Sequence, residues 1–357
     1  MKHLRWLLVA SFFVTTAASA AKPAKPGASK PRSSSGRAAI GVRSATPYLG
    51  AIVVDALSGT VLFEDKADAP GYPASVIKLM DLLLIEERID AGLLSLTNTI
   101  QVTAEAAGIG GSQVYLAEKE IFPVEELLAA LVIHSANDAA AALAIYVAGT
   151  RAAFVDLMNR RAAELGMNAT RFHSVHGLPP TEGQEPDVST ARDLALLARE
   201  ILLKHPDVTR FSSLQYRPFR NGAFTLRNPD HLIGSFPGCD GLKTGYFKAG
   251  GFSVVSTAQR NGRRVIAVVL GSTDSKVRDA TAKDLLAKGF LAQEKIPLPP
   301  PPVFVSTNVV VTNSVPEPEP GKLATPWAAS HILMTSGIAV AGLIFGVVFW
   351  RKTRSRN

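Results

Sequence analysis

Residues 72–80 read YPASVIKLM, an apolar stretch that is interrupted by a serine and, three positions later, by a lysine. Residues three apart on a helix share one face, so Lys78 can reach the hydroxyl of Ser75. A serine hydroxyl becomes a good nucleophile when a base takes its proton, and a lysine can be that base when burial or a second cation keeps it neutral. The stretch therefore predicts a nucleophilic serine and its base on one helical turn.

Two further motifs decide between this interpretation and a plain helix start, in which Ser75 caps the helix and Lys78 extends to solvent. They are S-x-N at Ser135 and Asn137, in a predicted turn between helices, and K-T-G at Lys243, Thr244 and Gly245, at the end of a predicted strand. The set S-x-x-K, S-x-N and K-T-G, in this order, is that of penicillin-binding proteins and serine β-lactamases. The motifs together favour catalysis.

Longer stretches extend this resemblance from about residue 47 to residue 290. PASVIKLM, GSQVYLAEKEIFPVEELLAALVIHSANDAAAALA, VHGL…VSTARDLALLA and GLKTGYFKAGGFSVVSTA resemble the low-molecular-weight penicillin-binding proteins of the D-alanyl-D-alanine carboxypeptidase family. The resemblance implies an α+β fold of the serine β-lactamase and DD-peptidase type, in which a five-stranded antiparallel sheet packs with helices. It also implies peptidoglycan stem peptides as substrate, β-lactam antibiotics as covalent inhibitors, and neither metal nor cofactor.

The resemblance assigns chemical roles to four positions. Ser75 would attack the penultimate D-alanine carbonyl to form an acyl-enzyme, and Lys78 would take its proton. Ser135 would pass a proton toward the leaving amine. The backbone N–H groups of Ser75 and Tyr246 would form the oxyanion hole, in which each donor typically contributes a factor of ~10²–10³ in rate.

Four further residues would bind substrate. Asn137 would hold the substrate amide and orient Lys78. Lys243 would supply positive charge and keep Lys78 neutral, Thr244 would bind the terminal carboxylate, and Gly245 would leave room for the substrate along the strand edge.

The sequence departs from the family pattern in three places. Tyr246 follows K-T-G where some relatives have histidine, and Thr273 stands where some relatives carry an arginine near the carboxylate site. Many relatives also have a β-rich domain after the catalytic one, whereas here residues 295–326 read as a proline-rich stalk. We expect the stalk to hold the site away from the membrane.

Three other functions remain open. A DD-endopeptidase that cuts peptidoglycan cross-links would carry the same motifs. A β-lactamase would need an acidic residue that positions a water molecule, often in a loop that precedes K-T-G in the sequence. Glu182 and Glu185 lie in that region. A non-catalytic protein that binds the cell wall would have no need of Ser75 and Lys78 together.

Hydrophobic patterns predict the elements that frame the motifs. YLGAIVVDA and TVLFED read as a hairpin, and three late strands, DGLKTG, GFSVVSTAQ and RRVIAVVLG, should join it in one antiparallel sheet. Helices are predicted from Ser75 to Gly92, over 123–134 and 138–148, from near Ser189, and over 276–290.

The net charge of +8 belongs to the two ends of the chain. Residues 1–45 and 351–357 hold twelve Lys and Arg and no acid, so the middle has a net charge of 8 minus 12, or −4. No basic stripe marks the middle, which argues against nucleic-acid binding.

The ends instead predict export and anchoring. Residues 1–20 read as a signal peptide and 21–46 as a basic linker, ahead of a catalytic domain at 47–294. Residues 327–350 are long enough to cross the membrane, and the basic tail 351–357 should lie in the cytoplasm. The catalytic domain would then be extracytoplasmic, and Gly342 and Gly346 form a GxxxG that suggests a homodimer.

Overall fold

The computed structural model describes residues 46–294. The predicted signal peptide, nearly all of the linker, the stalk, the membrane helix with its two glycines, and the tail lie outside the described residues. Between residues 46 and 294 no single helix has the length and apolar character of a membrane span. One pair of helices bent by 84°, Asn137–Ala148 with Arg151–Glu164, meets that test on length and composition only.

Strands lie at both ends of the described region and helices fill its middle. In chain order the elements are β1 (Gly50–Asp55), β2 (Val61–Asp65), α1 (Lys78–Asp90), β3 (Thr99–Gln101), α2 (Ala104–Ala107), β4 (Ile121–Pro123), α3 (Val124–Ile133), α4 (Asn137–Ala148), α5 (Arg151–Glu164), α6 (Ala191–Lys204), α7 (Thr209–Ser212), β5 (Tyr216–Phe219), β6 (Phe224–Arg227), β7 (Cys239–Phe247), β8 (Gly251–Arg260), β9 (Arg263–Ser272) and α8 (Ser275–Gln293), with 3₁₀ turns at Ala74–Ile77 and Pro206–Val208.

The main sheet has five antiparallel strands in the order β2-β1-β9-β8-β7. The predicted joining of the first hairpin to the last three strands is therefore confirmed. Strands β1 and β9 pair with each other, and both are buried along most of their length, as strands covered on both faces are. Strand β7, which carries K-T-G, is the edge strand that faces the helical part.

Alternate residues of the sheet face two separate cores, because successive side chains of a strand point to opposite faces. Ile52, Ile266 and Val268 join the large core shared with the helices of the middle region. Val53 and Val265 join a smaller core that α8 covers. Strand β7 thus lies at the boundary between the sheet and the helical layer, and a packed core lies on each face of the sheet.

Helix α8 spans the sheet from one end to the other. It begins at Ser275, just after the end of β9, with Asp274 accepting a backbone hydrogen bond as its cap. It ends at Gln293, whose side-chain amide donates to the Asp55 carboxylate and to the Arg264 carbonyl. Nineteen residues at 1.5 Å each make the helix about 28 Å long.

Helix α5, the short helices α2 and α7, and the two small hairpins were not predicted. Helix α5 buries only Phe154, Met158 and Ala162, which is a narrow apolar stripe. The two small hairpins, β3 with β4 and β5 with β6, pair only three and four residues on each strand. Their short strands carry little of the alternation that identifies a strand in a sequence.

Candidate active site

Ser75 lies in the 3₁₀ turn Ala74–Ile77 that leads into α1. The turn begins at Ala74, whose φ of 50° lies in the left-handed region that alanine rarely adopts. No side chain caps the turn or α1, so the hydroxyl of Ser75 does not serve as a helix cap. This excludes the plain helix start that the sequence left open and keeps the hydroxyl available for chemistry.

Lys78 is fully buried beneath Ser75, and its ammonium nitrogen has three neighbours. Nζ lies 2.9 Å from Ser75 Oγ, 2.7 Å from Asn137 Oδ1 and 2.9 Å from the backbone carbonyl oxygen of His176. The predicted base is therefore within hydrogen-bond distance of the predicted nucleophile.

The identity of these neighbours fixes the direction of the hydrogen bonds when Lys78 is neutral. The oxygens of Asn137 and His176 can only accept, so they take the two N–H groups of the amine. Its lone pair then faces Ser75 Oγ, whose proton it can accept. Burial lowers the pKa of Lys78 to about 7, while Asp81, Asp187 and Asp138 act in the opposite sense. A substantial fraction of Lys78 is thus neutral at physiological pH.

Lys243 and Ser135 form a second pair at the same site. Lys243 Nζ donates to Ser135 Oγ at 2.9 Å and to the Thr244 carbonyl at 2.9 Å. Burial lowers the pKa of Lys243 well below its usual range, and the charge of Lys78 lowers it further. Ser135 has a left-handed backbone, with a φ of 61°, as strained residues at functional sites often do.

An open cleft of about 470 Å³ runs over these groups. The predicted site residues that line it are Ser75, Ser135, Thr244, Gly245 and Tyr246. The other three predicted residues, Lys78, Asn137 and Lys243, lie beneath the cleft at 0%, 1% and 3% exposure. The structure therefore brings all eight predicted residues to one place, with the hydroxyls at the surface of the cleft and the amines below them.

Two glycines let the backbone around Ser75 pack tightly. A Cβ atom on Gly245 would lie 2.5 Å from the Pro73 carbonyl oxygen and 3.1 Å from the Ser75 nitrogen. A Cβ on Gly177 would lie 2.2 Å from the Ala74 carbonyl oxygen. Strand β7 therefore runs against the Ser75 backbone, next to Tyr246, as the predicted oxyanion hole requires.

Two arginines reach the same cleft. Arg227 and Arg278 line it together with Thr244 and His231. Arg278 is 4% exposed and forms an ion pair with Asp279 at 2.6 Å. Thr273, in contrast, is exposed and is not part of the cleft lining. A cation thus reaches the cleft from the first turn of α8, five residues after the position at which some relatives carry arginine.

Sequence reasoning missed several contributors to the site. His176 acts through its backbone carbonyl, which no residue pattern reveals, and Arg278 lies in a helix that carried no motif. Gly177 belongs to VHGL, a stretch that resembled the family without a role being assigned to it. Across residues 46–294, no three His, Cys, Asp or Glu side chains cluster as metal ligands would.

A family profile described as D-alanyl-D-alanine carboxypeptidase matches residues 45–274. The carboxypeptidase DacF of Bacillus subtilis is 35% identical over 251 residues, which are 70% of this chain and 63% of that protein. DacC of Escherichia coli is 34% identical over 271 residues, which are 72% of this chain and 65% of that protein. The chain therefore spans slightly less than two thirds of the length of these curated relatives.

Solved structures show the same likeness. Penicillin-binding protein D2 of Listeria monocytogenes, in its ampicillin-bound form, superposes with a TM-score of 0.62 at 33% identity, covering 68% of this chain and 97% of that one. DacD of Francisella tularensis gives a TM-score of 0.63 at 30% identity, covering 68% of this chain and 70% of that one.

Proposed function

Because the chain belongs to the D-alanyl-D-alanine carboxypeptidase family, we propose that it removes the terminal D-alanine from peptidoglycan stem pentapeptides through a serine acyl-enzyme. The observation that carries this proposal is the position of Lys78 Nζ between Ser75 Oγ and two oxygens that can only accept hydrogen bonds. That arrangement supplies a nucleophile with a buried base and needs neither metal nor cofactor.

Acylation follows from the contacts. Ser75 Oγ attacks the carbonyl carbon of the penultimate D-alanine while its proton passes to Lys78 Nζ. The backbone N–H groups of Ser75 and Tyr246 stabilise the oxyanion. The C–N bond then breaks, and the proton held by Lys78 passes through the Ser135 hydroxyl to the amine of the leaving D-alanine, which leaves Lys78 neutral again; Lys243 holds Ser135 in place.

Deacylation reverses these transfers with water in place of the amine. Water attacks the ester carbonyl and gives a proton to Lys78. The bond between the carbonyl carbon and Ser75 Oγ then breaks, Lys78 returns the proton to Ser75 Oγ, and the shortened stem peptide is released. A β-lactam would acylate Ser75 in the same way. The ampicillin-bound Listeria structure, a relative that this chain covers almost completely, supports that part of the proposal.

Cationic side chains suit a substrate that has a free carboxylate beside the bond that is cut. Arg227 and Arg278 line the same cleft as Thr244, the proposed binding residue for the terminal carboxylate. An arginine can hold a carboxylate through paired hydrogen bonds. The preference for a carboxypeptidase over an endopeptidase rests on the family to which the chain belongs.

The test uses the purified full chain with a disaccharide pentapeptide and with cross-linked muropeptide dimers, followed by mass spectrometry. Loss of one alanine from the monomer, with the dimer intact, is the expected result, and Ser75→Ala should abolish it. Cleavage of the dimer with the monomer untouched would establish the endopeptidase instead. Turnover by Ser75→Ala would refute the acyl-enzyme.

We propose further that residues 1–20 direct export, that residues 327–350 anchor the chain, and that the catalytic domain lies outside the cytoplasm. Protease added to spheroplasts should remove the catalytic domain and leave the tail protected. We also propose that Gly342 and Gly346 let two anchoring helices pair. Crosslinking in membranes should give a dimer that Gly342→Leu abolishes.

A further inference from the structure

Asp81 is a buried acid that the chemistry above does not use. It lies on α1 one helical turn after Lys78, and it is 1% exposed. Neither of its carboxyl oxygens has a hydrogen-bond partner in the described structure. Buried carboxyl groups are normally hydrogen-bonded or paired with a cation, so an acid that has neither requires an explanation.

The position of Asp81 on the helix supplies one. Side chains three residues apart lie on the same face, with Cβ atoms about 5–6 Å apart. The nearest cation on that face is the Lys78 ammonium, whose three hydrogen bonds all go to other partners. Asp81 therefore acts on Lys78 through the field of its charge.

The other acids near Lys78 are held differently. Asp138, at the start of α4, accepts hydrogen bonds from the backbone N–H groups of Val114 and Leu116. Asp187, in the segment before α6, accepts from the backbone of His173 and from Ser174. Such bonds stabilise an ionised carboxylate, and at Asp187 they oppose the rise in pKa that burial causes.

The other ionisable groups around α1 are basic, have partners elsewhere or, like Glu86, are acted on by other charges. Lys243 on β7 repels a charge on Lys78, and burial lowers the pKa of His176 to about 4, so that its ring stays neutral at physiological pH. Charged side chains on α3, α5 and α6 pair away from the site, as Glu126 does with Arg217 and as Arg161 does with Glu87 and Glu200.

We infer that Asp81 is a positioning residue that sets how tightly Lys78 holds a proton. The two groups titrate as one unit. When they share one proton, the pair is either a neutral amine beside a neutral carboxyl group or an ammonium beside a carboxylate. When the Ser75 proton reaches Lys78, the Asp81 carboxylate stabilises the resulting ammonium. Burial raises the pKa of Asp81 well above its usual range, and the charge of Lys78 opposes that rise, as expected of two groups that titrate together. The inference rests on the proposed acyl-enzyme.

The test is the pH profile of acylation by a fluorescent penicillin, measured on the full chain from pH 4.5 to 9. Asp81→Asn keeps the shape of the side chain but cannot carry a negative charge. Without the negative charge of Asp81 the pKa of Lys78 falls. The acidic limb, which is the part of the profile in which the acylation rate drops as pH is lowered, should therefore move about one pH unit lower. The rate on the plateau should fall several-fold, because Lys78 becomes a weaker base.

Glu86→Gln is the matched control. Glu86 lies on the same helix, is 8% exposed and also has an unpartnered carboxyl oxygen, but the charges that act on it are those of Arg210, Asp90 and Asp207. The Glu86→Gln protein should have the acidic limb of its acylation profile at the same pH as the wild-type protein, even if its melting temperature is lower. Asp81→Ser provides a second neutral side chain, for which the same shift as in Asp81→Asn is expected.

Each outcome is decisive. If the wild-type protein is labelled and both Asp81 variants keep its acidic limb, this inference alone is overturned, because an acid with a purely structural role would change only stability. A limb that moves equally in Glu86→Gln would overturn it too. A wild-type protein that is not labelled at all would refute the acyl-enzyme chemistry, and this inference with it.

Discussion

Replacing Gly245 by alanine should separate the geometry of the oxyanion hole from the stability of the fold. The added Cβ would lie 2.5 Å from the Pro73 carbonyl oxygen, whereas the shortest ordinary carbon–oxygen contact is about 3.3 Å. Strand β7 and the turn that holds Ser75 must therefore separate by roughly 0.8 Å, the difference between these two distances. Both proposed oxyanion donors border this contact.

A displacement of this size should cost about 10² in the rate of acylation, because a misplacement of about 1 Å has an effect of that order. The free energy of unfolding should fall by only about 1–3 kcal/mol, which is typical of one extra buried methyl group. The assay is stopped-flow labelling with a fluorescent penicillin, together with urea unfolding of the same samples.

Gly262→Ala is the control for a loss of stability without displacement of the site. Gly262 lies in the turn between β8 and β9, has a φ of 73° and has open space around it, so alanine there costs about 1 kcal/mol in backbone strain. It should acylate at the wild-type rate. If Gly245→Ala is labelled within threefold of the wild-type rate, the reasoning about β7 and Ser75 is refuted.

Three further predictions concern the amines and the anion site. The wild-type acylation rate should fall about tenfold per pH unit below about pH 7, as Lys78 becomes protonated, and a flat profile between pH 5 and 7 would contradict its role as base. Asn137→Ala should lower the rate about 10²-fold. The same variant leaves two partners of Asn137 without a hydrogen bond, Lys78 and the Gly110 carbonyl, and the free energy of unfolding should fall by about 1–3 kcal/mol for each of them. Urea unfolding measures this loss, and an unchanged acylation rate would contradict the role of Asn137. Arg278→Gln should lower kcat/KM about tenfold for a peptide ending in D-Ala-D-Ala, but not for its C-terminal amide, and an equal loss on both would exclude carboxylate binding by Arg278.

The main sheet and the motif residues could be predicted because each has a local signal. Strands β8 and β9 are long apolar runs, which have few alternatives in a domain of this size. The three motifs combine a nucleophile, a base and cations that have little other reason to occur together. Their convergence, across 168 residues between Ser75 and Lys243, depends on the fold that the resemblance implied.

Other parts of the site have no such signal. The carbonyl of His176 contacts Lys78 because of the path of a loop, and any residue could supply that oxygen. Arg278 and Asp81 read as ordinary members of amphipathic helices, and only burial distinguishes them from surface charges. The sequence does not reveal how deeply each side chain is buried, because burial depends on packing between segments that are far apart in the chain.

The course of α8 has a consequence for how the enzyme would work when tethered. The first turn of this helix borders the cleft, and its last residues lie at the opposite end of the sheet, about 28 Å away. The polypeptide therefore leaves the domain at the pole opposite to the one that receives substrate. An anchor beyond Glu294, as proposed for residues 327–350, would therefore be joined to the domain at the end of α8 that lies away from the cleft. The connection to such an anchor would not have to pass the opening through which substrate enters.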